Sequence, residues 1–312
     1  MTVWQGKHFW IWNMSSCFGG DVNKIISKMK ALGVRGVIVK AHDGANVWPQ
    51  FRSTVKAFKN AGLIVGAWGY HYGKDVEGEA KATLDSISAG ADWYVIDAEI
   101  EYEGKQLQAL QLGRLLRAVH PNYTIGYSAF PFADVHHAYP YKEFSSFCNV
   151  ALPQVYWGDL KPKVSECLQK TFSLYAQWKI PVAPVGQTYV STSYTPSAVD
   201  YQNFEKVSKQ YKATGVSFWD IQHASEAMFS AVKAMNFPVT APVTPAPTPK
   251  PPVVNLDEPS DWAKASVEKA IIAGVLTKDT YGRVYPKSGV TREQFAVILD
   301  RLGILDDQIK KG

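Results

Sequence analysis

Ala91-Asp92-Trp93-Tyr94-Val95-Ile96-Asp97-Ala98-Glu99-Ile100 is the stretch whose reading decides the fold. Trp93 to Ile96 is a short run of aromatic and β-branched residues, the composition of a buried strand. The run leads into two carboxylates, Asp97 and Glu99, two positions apart. Side chains alternate along a strand, so these two project to the same side. Adjacent carboxylates cannot both ionise freely. One of them keeps its proton near neutral pH and can serve as a donor. An acid with a helper carboxylate is what glycoside hydrolysis uses. The plain alternative is a strand end carrying two solvated acids.

Seven further strand-like runs flank this one, at 8–12, 36–41, 63–68, 123–128, 150–156, 182–187 and 216–220. Periodic segments lie between them. Val22, Ile25, Ile26 and Met29 have helical spacing, and Gly33 follows as a stop. Further helical stretches are read at 51–61, 79–88, 105–119, 160–178, 198–213 and 224–235. Eight such units predict an α/β fold, a (β/α)8 TIM-type barrel. A doubly wound sheet is the alternative, but no glycine-rich phosphate loop is present to support it.

In a barrel the site lies at the C-terminal ends of the strands. Those ends carry Trp12-Asn13, His42-Asp43, Tyr70-His71, Asp97 with Glu99, Tyr127, Gln154 with Tyr156-Trp157, Gln187 with Tyr189, and Trp219-Asp220. Aromatic and polar groups together suit a carbohydrate groove, where rings stack on sugar faces and amides or acids bind hydroxyls. The expected substrate-binding set is Asp43, Tyr70, His71, Tyr127, Gln154, Tyr156, Trp157, Trp219 and Asp220. Of these, Tyr70, Tyr127, Trp157 and Trp219 are the expected sugar-stacking walls. Glu99 and Asp97 are the expected catalytic pair. The histidines show no ligand spacing, so neither metal nor cofactor is implied.

The 312 residues are 46% hydrophobic and 13% aromatic, with 10 Trp and 16 Tyr. A net charge of +5 without a Lys/Arg block does not indicate nucleic acid. It permits a weak attraction to an anionic polymer such as a cell wall. Cys17, Cys148 and Cys167 are odd in number and lack a CxxC pair, so buried thiols are expected. No apolar run suggests a signal peptide or a membrane span, which implies a protein made and held in a cytoplasm.

Composition shifts at 237–254, where Pro238-Val239-Thr240-Ala241-Pro242 opens a proline-rich run read as an extended linker. It divides a barrel at 1–236 from a small unit at 255–312. In the small unit, Ala263, Val267, Ala270 and Ile271 form one helical stripe before Gly274. Thr291-Arg292-Glu293-Gln294 reads as a capping box, with Phe295, Ile298, Leu299 and Leu302 following at helical spacing. The expectation is a small all-α helix–loop–helix. A core from about 60 residues is marginal, so a partner copy, the barrel or a wall ligand would have to support it.

Gly36-Val37-Ile38-Val39-Lys40-Ala41-His42-Asp43-Gly44, then Ala61-Gly62-Leu63-Ile64-Val65-Gly66-Ala67-Trp68-Gly69-Tyr70, then Asp97-Ala98-Glu99, resembles the barrel of family 25 glycoside hydrolases, the lysozymes of phages and bacteria. The resemblance covers roughly the first two hundred residues and implies that Glu99 is the acid and Asp97 its helper. Two departures stand out: Trp12-Asn13 where that family has an aspartate, and Asp43 where it has a glutamate. The fourth strand is also similar to family 18 chitinase-type barrels. Asp92, Asp97 and Glu99 match three of the four acidic positions, Val95 replaces the other, and Tyr156 and Trp219 stand where such barrels hold an N-acetyl sugar. Trp262-Ala263, Gly274, Tyr285-Pro286 and Thr291-Arg292-Glu293 are similar to an S-layer homology repeat, which implies binding to a secondary cell-wall polymer through Trp262 and Arg292.

These resemblances together imply a peptidoglycan hydrolase of the endolysin kind, most simply a muramidase, held in a host cytoplasm until released to the wall. Peptidoglycan and a secondary wall polymer are its expected partners, with no membrane partner and with self-association through the C-terminal unit. A glucosaminidase, a chitinase-type enzyme on another N-acetylated polymer and a non-catalytic wall-binding protein are the alternatives.

Overall fold

The computed structural model describes residues 2–237, 264–272 and 299. The chain divides into two units, Met1–Pro249 and Lys250–Gly312. In the first, eight parallel strands close into a barrel. They are β1 (Gly6–Ile11), β2 (Gly36–Asp43), β4 (Ile64–His71), β5 (Trp93–Ala98), β6 (Ile125–Ala129), β7 (Val150–Val155), β8 (Val185–Gln187) and β9 (Gly215–Trp219). Their order is β1-β9-β8-β7-β6-β5-β4-β2, and β1 also pairs with β2, so the ring has no open edge. A two-residue strand, β3 (Asn46–Val47), folds back antiparallel on β2 and was not expected.

Helices α1 (Val22–Ala31), α2 (Pro49–Asn60), α3 (Val76–Ser88), α4 (Gln106–Val119), α5 (Tyr141–Phe147), α6 (Trp157–Leu160), α7 (Val164–Tyr175), α8 (Ala198–Gln210) and α9 (Glu226–Ala234) belong to this unit. Their starts are fixed locally. Asp21 caps α1 through Asn23 N and Lys24 N, Pro49 opens α2, and Ser197 and Asp200 form a capping box on α8. Two expectations need correction. The stretch 160–178 is not one helix: Pro162, which cannot donate to a helix ladder, separates α6 from α7, and a 3-10 turn at Ala176–Trp178 follows. Helix α5 was missed because it is only seven residues long and owes its place to packing. Tyr141, Phe144 and Phe147 are buried on one side of it.

The alternation of the strands makes two cores. Trp10, Ile38, Trp68, Trp93, Val95, Val150, Leu152, Ala183 and Val185 fill the barrel itself. Phe9, Val37, Val39, Val65, Tyr94, Ile96 and Phe218 point outward into the layer shared with the helices. Lys7 joins the two ends of the unit: its buried Nζ donates to Leu32 O at 3.1 Å, Val232 O at 2.9 Å and Met235 O at 2.8 Å. Phe237 is buried in the outer layer, so the barrel unit runs at least one residue past its expected end at 236.

The three cysteines are free buried thiols. In the second unit, helix α10 (Lys264–Ile272) forms where the stripe predicted one, and Val267, Ala270 and Ile271 are its partly covered residues. The linker from Pro238 onward, Trp262, the capping box at Thr291 and Arg292 lie outside the described residues.

Candidate active site

Residues facing into the barrel on β5 are Trp93, Val95 and Asp97, and Glu99 follows just past the strand end. Asp97 stands opposite Tyr70 of β4 and Ser128 of β6. Both carboxylates reach one amide: Gln154 Nε2 donates to Asp97 Oδ1 at 3.1 Å and to Glu99 Oε1 at 2.8 Å, with Ser128 Oγ at 3.2 Å. They line a cavity of about 130 Å³ with Trp10, Ser128, Gln154, Tyr156 and Trp219. A space of that size holds about four waters, the scale of one sugar substituent.

The electrostatics follow from this enclosure. Burial, and then the charge of Glu99, push the Asp97 carboxyl well above the usual carboxylate range, while Ser128, Lys40 and Gln154 pull against them. Glu99 is also raised, by burial and by the charge of Glu101, against the hydrogen bond from Gln154. The pair therefore retains a proton at a pH where two free carboxylates would have none. Tyr156, raised by burial and by the same two carboxylates, keeps its hydroxyl proton and remains a donor.

Aromatic rings build one side of the cavity. The Trp219 ring lies 5.4 Å from Trp68, 5.8 Å from Trp10 and 6.3 Å from Trp12, nearly parallel to the last at 28°. Trp10 is held by its Nε1 on Ser217 Oγ at 2.9 Å, and Trp68 by its Nε1 on Ile11 O at 3.0 Å. Trp12 is 42% exposed, so this aromatic wall continues to the surface.

The expected site residues separate cleanly. Asp97, Glu99, Gln154, Tyr156 and Trp219 are brought together around the cavity. Tyr70 stands beside them, donating its hydroxyl to Glu101 Oε2 at 2.6 Å. Asp43 reaches the same rim but is engaged: Lys40 Nζ is 2.6 Å away and Tyr72 OH donates at 2.7 Å. Burial would raise its pKa, yet these two donors lower it overall, so it is held as an anion.

The structure does not bring four expected residues to the cavity. His71 is outward by strand parity and wholly buried against α3, its Nδ1 3.3 Å from Glu79 Oε2. Tyr127 also faces outward and bonds Ser145 Oγ at 2.8 Å. Trp157 opens α6 and packs on Tyr201 and Phe204. Asp220 is buried, its Oδ1 2.8 Å from His223 Nδ1. Asp92 of the acidic pattern sits at the opposite strand end, accepting Val65 N at 2.8 Å and pairing with Lys59 at 2.8 Å.

Five residues near the pair were missed. Trp10 and Ser128 follow from alternation, two positions before Trp12 and after Gly126. Trp12 was noted at a strand end but not counted as a wall. Glu101 lies beyond the strand, on the turn Ile100–Tyr102, where parity gives no guide. Lys40 faces in at the level of Trp68, and its Nζ lies 4.9 Å from that ring and 4.5 Å from Trp48. A bulge after Lys40 then resets the alternation, which turns His42 out and Asp43 in.

No family model matches the chain, and no curated protein matches it. Solved structures do match, among them glycoside hydrolase barrels. Active domain 2 of the thermostable chitinase from Pyrococcus furiosus gives a TM-score of 0.61 at 11% identity, over 75% of this chain and 94% of that one. A chitinase from Chromobacterium violaceum gives 0.56 at 10%, over 73% and 98%. The spore cortex-lytic enzyme SleL of Bacillus megaterium gives 0.54 at 10%, over 77% and 75%. At these identities the likeness is one of fold: the chain is a TIM barrel similar in architecture to chitinases and to a cortex-lytic enzyme.

Proposed function

We propose that the barrel is a glycoside hydrolase acting on polymers of N-acetylated hexosamine, with the glycan strands of peptidoglycan as substrate and Glu99 as general acid. The observation that carries this reading is the buried Asp97–Glu99 pair, bridged by Gln154 at the foot of a tryptophan-walled cavity. Glu99, the more open of the two, gives its proton to the glycosidic oxygen as the bond to the anomeric carbon breaks. Among the described residues the other carboxylates near the pair are already engaged: Asp43 is tied to Lys40, Glu101 accepts from the Tyr70 hydroxyl, and Asp220 is buried against His223. This favours attack by the substrate's own N-acetyl oxygen. Asp97 and the Tyr156 hydroxyl would hold and stabilise that group, and Trp10 and Trp219 would cover the sugar ring. Water then opens the intermediate and passes a proton back to Glu99. The fold shared with chitinases and a cortex-lytic enzyme supports the substrate class. The C-terminal unit, by its sequence likeness to an S-layer homology repeat, would hold the enzyme on the wall.

Digestion of purified Gram-positive walls by the full chain and by Glu99→Gln, with new reducing ends identified by mass spectrometry, tests the reading. New N-acetylhexosamine ends made by the wild type alone are expected, and muramic-acid ends would mark a muramidase. Wall binding without new ends would replace the hydrolase with a non-catalytic binding protein.

A further inference from the structure

Beside the catalytic cavity, on the β7–β8 side of the barrel mouth, lies a second and larger pocket of about 410 Å³. Consecutive residues line the two. Tyr156 lines the catalytic cavity, and the next residue, Trp157, lines the second pocket. The connection after β7 is braced on β8 by Gly158 N, which donates to Gln187 Oε1 at 2.8 Å, and by Tyr189, whose hydroxyl donates to Asp159. The Tyr189 ring stands 5.7 Å from that of Tyr156.

The chemistry of this pocket is opposite to that of its neighbour. Lys161 and Lys163 line it, both exposed, and neither ammonium pairs with a carboxylate among the described residues. Helix α7 begins at Val164, and its cap residue, Lys163, contributes no side-chain acceptor, so the first-turn N–H groups are left uncapped. Independently, Trp157, a residue of the pocket lining, is buried with its indole Nε1 lacking a hydrogen-bond partner among the described residues. The one carboxylate present is already engaged: Asp200 Oδ2 accepts from Tyr194 OH at 2.8 Å, Ser197 N at 2.7 Å and Ser197 Oγ at 2.8 Å. The exposed ammoniums and the uncapped helix start can each take an anionic acceptor in place of water, and the buried indole donor lacks one.

We propose that this pocket is a subsite for the carboxylate-bearing substituent of a hexosamine, the lactyl-peptide arm that distinguishes muramic acid from plain N-acetylglucosamine. This rests on the glycosidase reading and deepens it by naming what separates a peptidoglycan strand from a neutral one. The two neighbouring spaces then differ in charge: Asp97 and Glu99 line the cavity, and Lys161 and Lys163 the second pocket.

The test is binding to the full-length chain carrying Glu99→Gln, so that no turnover is needed, with and without Lys161→Gln and Lys163→Gln together. The probes are N-acetylmuramoyl-L-alanyl-D-isoglutamine and N,N′-diacetylchitobiose, titrated calorimetrically at low and high salt. The two lysine changes should cut the ratio of muramyl-peptide to chitobiose affinity about tenfold, the size two partly exposed ion pairs give, and remove most of its salt dependence. An unchanged ratio, or no binding of the muramyl peptide to the parent chain, overturns the subsite. Lysine-dependent binding by this chain, with no sugar ends released from walls by the wild type, would keep the subsite and overturn the hydrolase.

Discussion

Two buried acidic centres lie back to back across the same wall of the barrel, and they differ in how many donors each acid receives. Inside, Asp97 and Glu99 share the amide of Gln154, with the Ser128 hydroxyl beside Asp97, and both are raised. Outside, Glu79 of α3 accepts Tyr72 N and Gly73 N at 3.0 Å each, with His71 Nδ1 at 3.3 Å and Tyr102 OH at 3.5 Å. Burial alone would raise Glu79, yet these donors lower it overall. The adjacent residues Tyr70 and His71 of β4 serve one centre each. Burial of an acid is therefore common to structure and chemistry; an undersupplied acid is what keeps a transferable proton.

The comparison breaks if the two centres exchange behaviour. The largest effect expected is in rate: Glu99→Gln should lower kcat by about 10²- to 10⁴-fold, measured as sugar ends released, while the chain stays folded. A variant that keeps its rate would put Glu99 in the same class as Glu79. Next, Glu79→Ala should cost about 3–5 kcal/mol in urea unfolding, since it strands two backbone N–H groups and a buried histidine. Retained stability would show that the outer network is not structural. Trp219→Ala should lower kcat/KM by about 2 kcal/mol, about thirtyfold, through lost ring contact with the sugar. No change would remove the aromatic wall from the site.

The smallest effect is the sharpest test, because its sign differs between the centres. Glu99 binds its proton more tightly folded than unfolded, so its ionisation costs stability as pH rises from the ordinary value of 4.5 through the raised one. Glu99→Gln should then melt higher than the wild type at neutral pH. Below the ordinary value the gain should vanish. Glu79 is depressed, so its contribution is present above 4.5 and is lost as pH falls through the folded value. Glu79→Gln should melt lower than the wild type at neutral pH, with the gap closing in acid. Parallel curves for the two variants would contradict the distinction.

Much of this was legible in the sequence. The strand 93–98 has the bounds its composition predicts, and the other seven barrel strands lie where apolar runs place them. Asp97, Glu99, Gln154, Tyr156 and Trp219 meet because each continues an inward-facing register. His71 and Tyr127 were misplaced although parity was readable: Trp68 and Tyr70 face in, so His71 faces out, and Gly126 and Ser128 do the same for Tyr127. Other residues had no such signal. The bulge after Lys40 shifts the phase of β2 and cannot be seen in its composition. Trp157 and Asp220, by contrast, directly follow the inward-facing Tyr156 and Trp219, and alternation carried one residue past the strand ends turns them out. Side chains that reach across sequence, such as Glu101 to Tyr70, depend on turn geometry that one sequence does not specify.

The closure of the ring has a consequence for how the protein is made. Strand β1 lies between β2 and β9, Trp10 rests on Ser217, and Lys7 is held by carbonyls at Val232 and Met235. The first strand of the ring in chain order thus waits for the last before both its edges are paired. Until then, its free edge and the half-ring behind it are open to wrong partners, and chaperones have their longest window there. The tryptophan wall is assembled from both ends of the unit. A chain stalled or cut before residue 219 therefore has both carboxylates but not the Trp219 ring that lines the cavity beside them. The cavity around the two carboxylates is therefore completed only by the last strand of the ring.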